Sequence, residues 1–119
     1  MKDIKNNVKK RHSADLILNT LFELLNEKSY DEIKVIDIYQ RCYVARSTFY
    51  HLFKNIDDVL YYAVDKQFSS FMDGVSKVAD DDLLSFFIEK AFESHRLLEI
   101  IMENNKCHIV LKAFEDYDK

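Results

Sequence analysis

A chain of 119 residues suits one domain, or one domain plus a fragment, and can bury a core without disulfides or a metal. It has no proline and one glycine, Gly74, so it lacks the turn residues that strand-rich folds use, and its 48% apolar content excludes a disordered segment. Net charge is −4 but uneven: residues 1–54 hold ten Lys or Arg against seven Asp or Glu, residues 55–119 seven against fourteen. A polyanion is expected at the basic part, with the acidic part turned away, although such an imbalance also arises by chance.

Residues 1–12 read as a basic arm carrying Lys2, Lys5, Lys9, Lys10 and Arg11; a solvated terminus is the plainer reading of them. A first helix is expected from Ser13 as N-cap, with Asp15 in its first turn and Ala14, Ile17, Leu21, Leu24 and Leu25 at helical spacing, ending near Lys28–Ser29. A second helix spans about Val35–Arg41 and a third about Ala45–Leu52. Asn55 caps a fourth, with Asp57 and Asp58 in its electropositive first turn, and Gly74 is placed just past its end. Asp80, Asp81 and Asp82 start a fifth. Residues 83–103 are apolar almost all round, so burial on several sides is expected. A last helix covers about 107–116. Cys42 and Cys107 read as small buried hydrophobes, since no metal-ligand spacing surrounds them. No apolar run is long enough to span a membrane and no secretory signal is evident, so a soluble cytoplasmic protein is expected.

Residues 35–54, VIDIYQRCYVARSTFYHLFK, carry the functional signal. Two short helices joined by a three-residue turn make a helix-turn-helix, which needs apolar residues at fixed offsets. Ile38, Cys42, Val44, Phe49 and Leu52 supply them. A recognition helix presents donors and few acids, and the stretch from Arg41 to Lys54 contains no Asp or Glu. A merely solvated basic face has the same composition, so the pattern alone leaves both readings open.

The order Thr48-Phe49-Tyr50 followed by Phe53, within ARSTFYHLFKN, resembles the tetracycline-repressor (TetR) family, and the resemblance covers about residues 12–68. It implies an all-α fold: a three-helix, homeodomain-like helix-turn-helix DNA-binding domain over 1–54, then a helical ligand-binding and dimerisation region over 55–119. It also implies a homodimeric regulator of double-stranded operator DNA, a repressor released by a small-molecule inducer; no cofactor is expected, and the residue spacing and lack of a long apolar run lead to the expectation of no metal and no membrane partner. By the same resemblance Arg46 reads bases, Thr48 and Tyr50 hold phosphates, Ser47 lies where the helix backbone nears DNA, and His51 and Lys54 add contacts; Lys34, Lys54 and the basic arm are expected to compensate for a phosphate-binding lysine that the family has and this chain lacks. Four positions depart from the family: Tyr43 replaces a turn glycine, Tyr39 a small alanine, Lys34 a capping threonine, and Ile56 a phosphate-binding lysine. A left-handed non-glycine residue costs on the order of 1 kcal/mol, so a differently shaped turn is expected at Tyr43. Family members usually have a carboxy-terminal region about twice as long, so the chain reads as a short or a truncated member. The alternative is a TetR-like fold that no longer binds DNA and serves as a ligand- or partner-binding module. No phosphate loop or nucleophile elbow points to an enzyme. In the carboxy-terminal half His95, Arg96 and His108 are the polar candidates for touching a ligand, and the site itself is left open.

Overall fold

The computed structural model describes residue 4 and residues 7–117. The described residues are helical, without a strand, which establishes the all-α class. Helices α1 (Val8–Leu24), α2 (Val35–Arg41), α3 (Arg46–Leu52), α4 (Ile56–Val75), α5 (Leu83–Glu103) and α6 (Cys107–Tyr117) follow in order, with single 3₁₀ turns at Tyr30–Glu32 and Asp80–Asp82. The chain forms two compact units, one reaching Tyr62 and the other beginning at Ala63.

In the first unit α1, α2 and α3 pack on one another. Ala14, Ile17, Leu21 and Leu24 of α1, Ile38 of α2 and Phe49 of α3 are buried, as are Phe53, Val59, Leu60 and Tyr62. Phe53 is extended (φ −136°, ψ 143°) and so ends α3. Its ring lies 5.8 Å from both Phe49 and Tyr62, joining α3 to α4 through a row of aromatic contacts. The polar groups drawn into this core are satisfied. Thr20 donates to the Leu16 carbonyl at 2.8 Å, and the buried Tyr62 hydroxyl donates to Asp15 at 2.6 Å. Tyr30 donates to Asp57, and burial, reinforced by that carboxylate, holds its phenol protonated well above the ordinary range.

α1 begins earlier than the apolar pattern indicates. Asn7, not Ser13, is the N-cap, accepting the Lys10 N–H at 3.1 Å, and residues 8–12 of the supposed basic arm are helical. The first turn is polar all round, so periodicity starts to register only at Ala14. Lys2 and Lys5 lie outside the described residues.

The turn between α2 and α3 keeps a standard helix-ending geometry despite its tyrosine. The Val44 N–H reaches the Tyr39 carbonyl at 3.1 Å and the Tyr43 N–H reaches that of Gln40 at 3.4 Å, while Tyr43 takes φ 59°. This is the paired closure that usually recruits glycine, so the differently shaped turn expected at Tyr43 does not occur. The Tyr43 side chain is 95% exposed and offsets none of the strain by packing. Tyr43→Gly is therefore expected to stabilise the unit by about 1 kcal/mol, less the larger chain entropy that glycine loses on folding. Thermal denaturation of the two proteins checks this; a lowered midpoint in the variant would refute it.

In the second unit Gly74 lies inside the last turn of α4 rather than beyond it, and its φ is not positive. It serves a close approach instead: a Cβ there would meet the Phe86 ring at 2.5 Å. α5 closes at Asn104, with Asn105 left-handed at φ 56° and the Lys106 N–H on the Ile101 carbonyl at 2.8 Å. The expected burial of α5 on several sides is not met. Leu97, Ile100 and Ile101 are buried, but Leu84, Phe92 and Met102 are 73%, 72% and 67% exposed. On α6 Ile109 and Ala113 are buried while Leu111 and Phe114 stay open. One long helix with apolar residues on all sides has too few neighbours in a unit of this size to cover it. Neither cysteine is buried: Cys42 is intermediate and Cys107 exposed. Among the described residues no helix is long and apolar enough to cross a membrane, and no cluster of His, Cys, Asp or Glu is arranged to hold a metal ion.

Candidate nucleic-acid interface

Helix α3 has one buried residue, Phe49, on the face it turns inward. Phe49 is fully buried, and the residues around it on the helix are left outward: Arg46, Ser47, Tyr50 and His51 are exposed and Thr48 is half-buried. Lys34, just before α2, and Lys54, just after α3, are exposed as well.

Two grooves flank this helix. The first is bordered by Lys34, Ile36, Tyr39, Arg46, Tyr50 and Ile56, together with Asp31 and Asp57. The Arg46 guanidinium lies 5.5 Å from the centre of the Tyr50 ring, a cation–π contact that holds the arginine along the helix surface. The second is bordered by Lys9, Lys10, Ser13, Ser47, Thr48 and His51, and no carboxylate lines it. Lys9 and Lys10 belong to the stretch expected as a basic arm. The Asn7 cap puts them on the first turn of α1, beside the far flank of α3, and an asparagine followed by a polar first turn was the available signal.

The helix starts around the site are capped by local carboxylates and amides. Asn55 accepts the Asp58 N–H and Asp58 accepts the Lys54 N–H, each at 2.9 Å. At α2 no N-cap side chain accepts a helix N–H, and Asp37, at the third helical position, supplies the reciprocal bond back to the N-cap residue. It accepts the Lys34 N–H at 2.9 Å and pairs with Lys28 at 3.2 Å, and these, the backbone bond first, hold its carboxyl below the ordinary aspartate value. A depressed aspartate contributes stability that is present above its unfolded pKa, about 3.9, and is lost as pH falls through the lower folded value. Asp37→Asn should be less stable than wild type at neutral pH, with the two converging in acid. A difference in denaturation midpoint that stays constant down to pH ~2 would show that the Asp37 charge plays no part.

Arg41, part of the acid-free stretch, is committed elsewhere. It pairs side-on with Glu27 and lies 3.6 Å from Glu23, tying α2 to the end of α1. Asp57 of the first groove is likewise engaged, by the Tyr30 hydroxyl. Of the polar residues singled out in the other unit, His95 and His108 are exposed, and the His95 ring nitrogen sits 2.7 Å from the Phe92 carbonyl.

An exposed, donor-rich short helix braced by two others and flanked by lysines has the chemistry to enter a major groove. Residues 17–63 match the family model for the tetR family of bacterial regulatory proteins. No curated protein and no solved structure matches the chain.

Proposed function

Taking the chain as a TetR-family, DNA-binding transcription regulator, with that family's helix-turn-helix region over residues 17–63, we propose that it is a cytoplasmic homodimeric repressor released from its operator by a small molecule. In this reading residues 1–54 hold the DNA and residues 55–119 carry the dimerisation and ligand functions. The observation that carries it is the exposed face of α3, with Arg46, Ser47, Tyr50 and His51 outward around a buried Phe49.

The roles divide by chemistry. Arg46 is the base reader, since a guanidinium bonds guanine O6 and N7 together. Tyr50 and Lys34 contact phosphates on one flank and Thr48 on the other, and Ser47 allows close approach of the helix backbone. Lys54 adds a phosphate contact. The acid-free groove with Lys9, Lys10 and His51 supports the stronger phosphate grip on the other flank, because the first groove is bordered by Asp31 and Asp57 and by the apolar Ile36 and Ile56. The open apolar faces of α5 and α6 support a second copy as partner.

Fluorescence anisotropy with DNA from upstream of the protein's own gene, against scrambled DNA, tests the reading. Tighter binding to the upstream DNA is expected, with log affinity falling by roughly 0.9 per neutralised phosphate for each decade of salt. Lys9→Gln with Lys10→Gln should flatten that slope by up to about 2. A second reading, a TetR-like module without DNA binding, is favoured by the same apolar Ile36, Tyr39 and Ile56 in the first groove. Absence of any salt-dependent association would select it and sink the first.

A further inference from the structure

The carboxy-terminal unit holds a cavity of about 310 Å³ lined by the second half of α4, by α5 and by Val110 of α6. This is at the lower end of the range for sites that bind small organic molecules. Its apolar walls are aromatic: Phe68, Phe71 and Phe87 present ring surfaces to it. The rings are braced from outside. Phe68 packs edge-on against Phe114 (5.5 Å) and Tyr117 (4.8 Å), and Phe71 lies 5.6 Å from Phe86. The polar lining is limited to Gln67, Lys90 and Ser94, with no carboxylate in the wall.

Gln67 and Lys90 are the donors, since Ser94 spends its one hydrogen within the wall. The Ser94 hydroxyl donates to the Gln67 side-chain oxygen at 3.2 Å, which leaves the Gln67 amide NH₂ as the end that offers hydrogens. The Lys90 ammonium is 3.2 Å from the Ser70 hydroxyl and 3.3 Å from Glu93, and 5.7 Å from the centre of the Phe86 ring. An ammonium has three donors, so these two bonds leave one. The Glu93 side chain is 56% exposed against 22% for Lys90, so water shares the carboxylate while the cation stays against the wall.

We propose that this cavity binds a small planar aromatic carboxylate, its ring between the phenylalanines and its carboxylate on Lys90 and the Gln67 amide. An aromatic ring matches the wall, and an anion matches a lining that contains a cation and no acid. That occupancy alters DNA affinity rests on the regulator reading above; the binding itself does not.

The probe is 2-naphthoate, titrated calorimetrically into the full chain without DNA. One saturable site per chain is expected, and no saturation with 2-naphthylmethylammonium. Lys90→Met should weaken naphthoate binding at least about tenfold, and Ala91→Trp, which fills the cavity from its exposed rim, should abolish it with the far-UV circular dichroism unchanged. No saturable binding of naphthoate, equal binding of the cation, or wild-type affinity in Lys90→Met would each overturn the proposal. Adding naphthoate to the upstream-DNA complex separates the two ideas. Naphthoate binding by a chain that ignores DNA upholds the cavity and removes the regulator, whereas DNA binding without naphthoate binding does the reverse.

Discussion

Phe49→Ala is expected to unfold most of the amino-terminal unit, at a cost of about 3–5 kcal/mol. The Phe49 ring is fully buried and is the one buried side chain of α3. It meets Phe53 at 5.8 Å and the edge of Tyr50 at 5.3 Å, so its loss opens a cavity bordered by the next aromatic in the row. A unit of this size is worth roughly 3–9 kcal/mol in all, at the usual stability per residue. Urea denaturation followed by circular dichroism measures the effect. Tyr50→Ala, at an exposed position one residue along, should leave the midpoint within about 0.5 kcal/mol of wild type. Equal small effects at both positions would mean that α3 is held by something other than Phe49.

Arg46→Ala is expected to weaken binding to the operator by about 1–3 kcal/mol, or roughly 5- to 150-fold, and to leave binding to scrambled DNA little changed. Arg46 is exposed on the first turn of α3 and packs along the Tyr50 ring, so the fold should be indifferent to its removal. Arg46→Lys keeps the charge and loses the planar fork, so it should recover little of the specific affinity. A uniform loss on both DNAs would make Arg46 a phosphate contact rather than a base reader. Unchanged operator binding would remove it from the interface.

The contrast between these two neighbours shows what local pattern can decide. Helical spacing and the lack of proline and near lack of glycine were enough to determine the all-α class, the span of α2 and the inward face of Phe49, because these depend on periodicity along one stretch of chain. The Thr48-Phe49-Tyr50 order and the acid-free run likewise marked the stretch that forms α3 without any coordinates. Other features depend on what lies opposite in space. Lys9 and Lys10 line the groove beside α3 only because the Asn7 cap carries α1 back past Ala14 and brings its first turn beside His51. Arg41 is instead tied to Glu23 and Glu27, which are distant in sequence and stand across from it. Tyr43 keeps the left-handed turn because the α2 carbonyls it closes must be satisfied, and that requirement outweighs the steric cost of its Cβ. The apolar circumference of α5 is visible in the sequence, but burial is a property of neighbours, and only the tertiary structure decided that much of it stays open while part of it lines a cavity with Gln67 and Lys90.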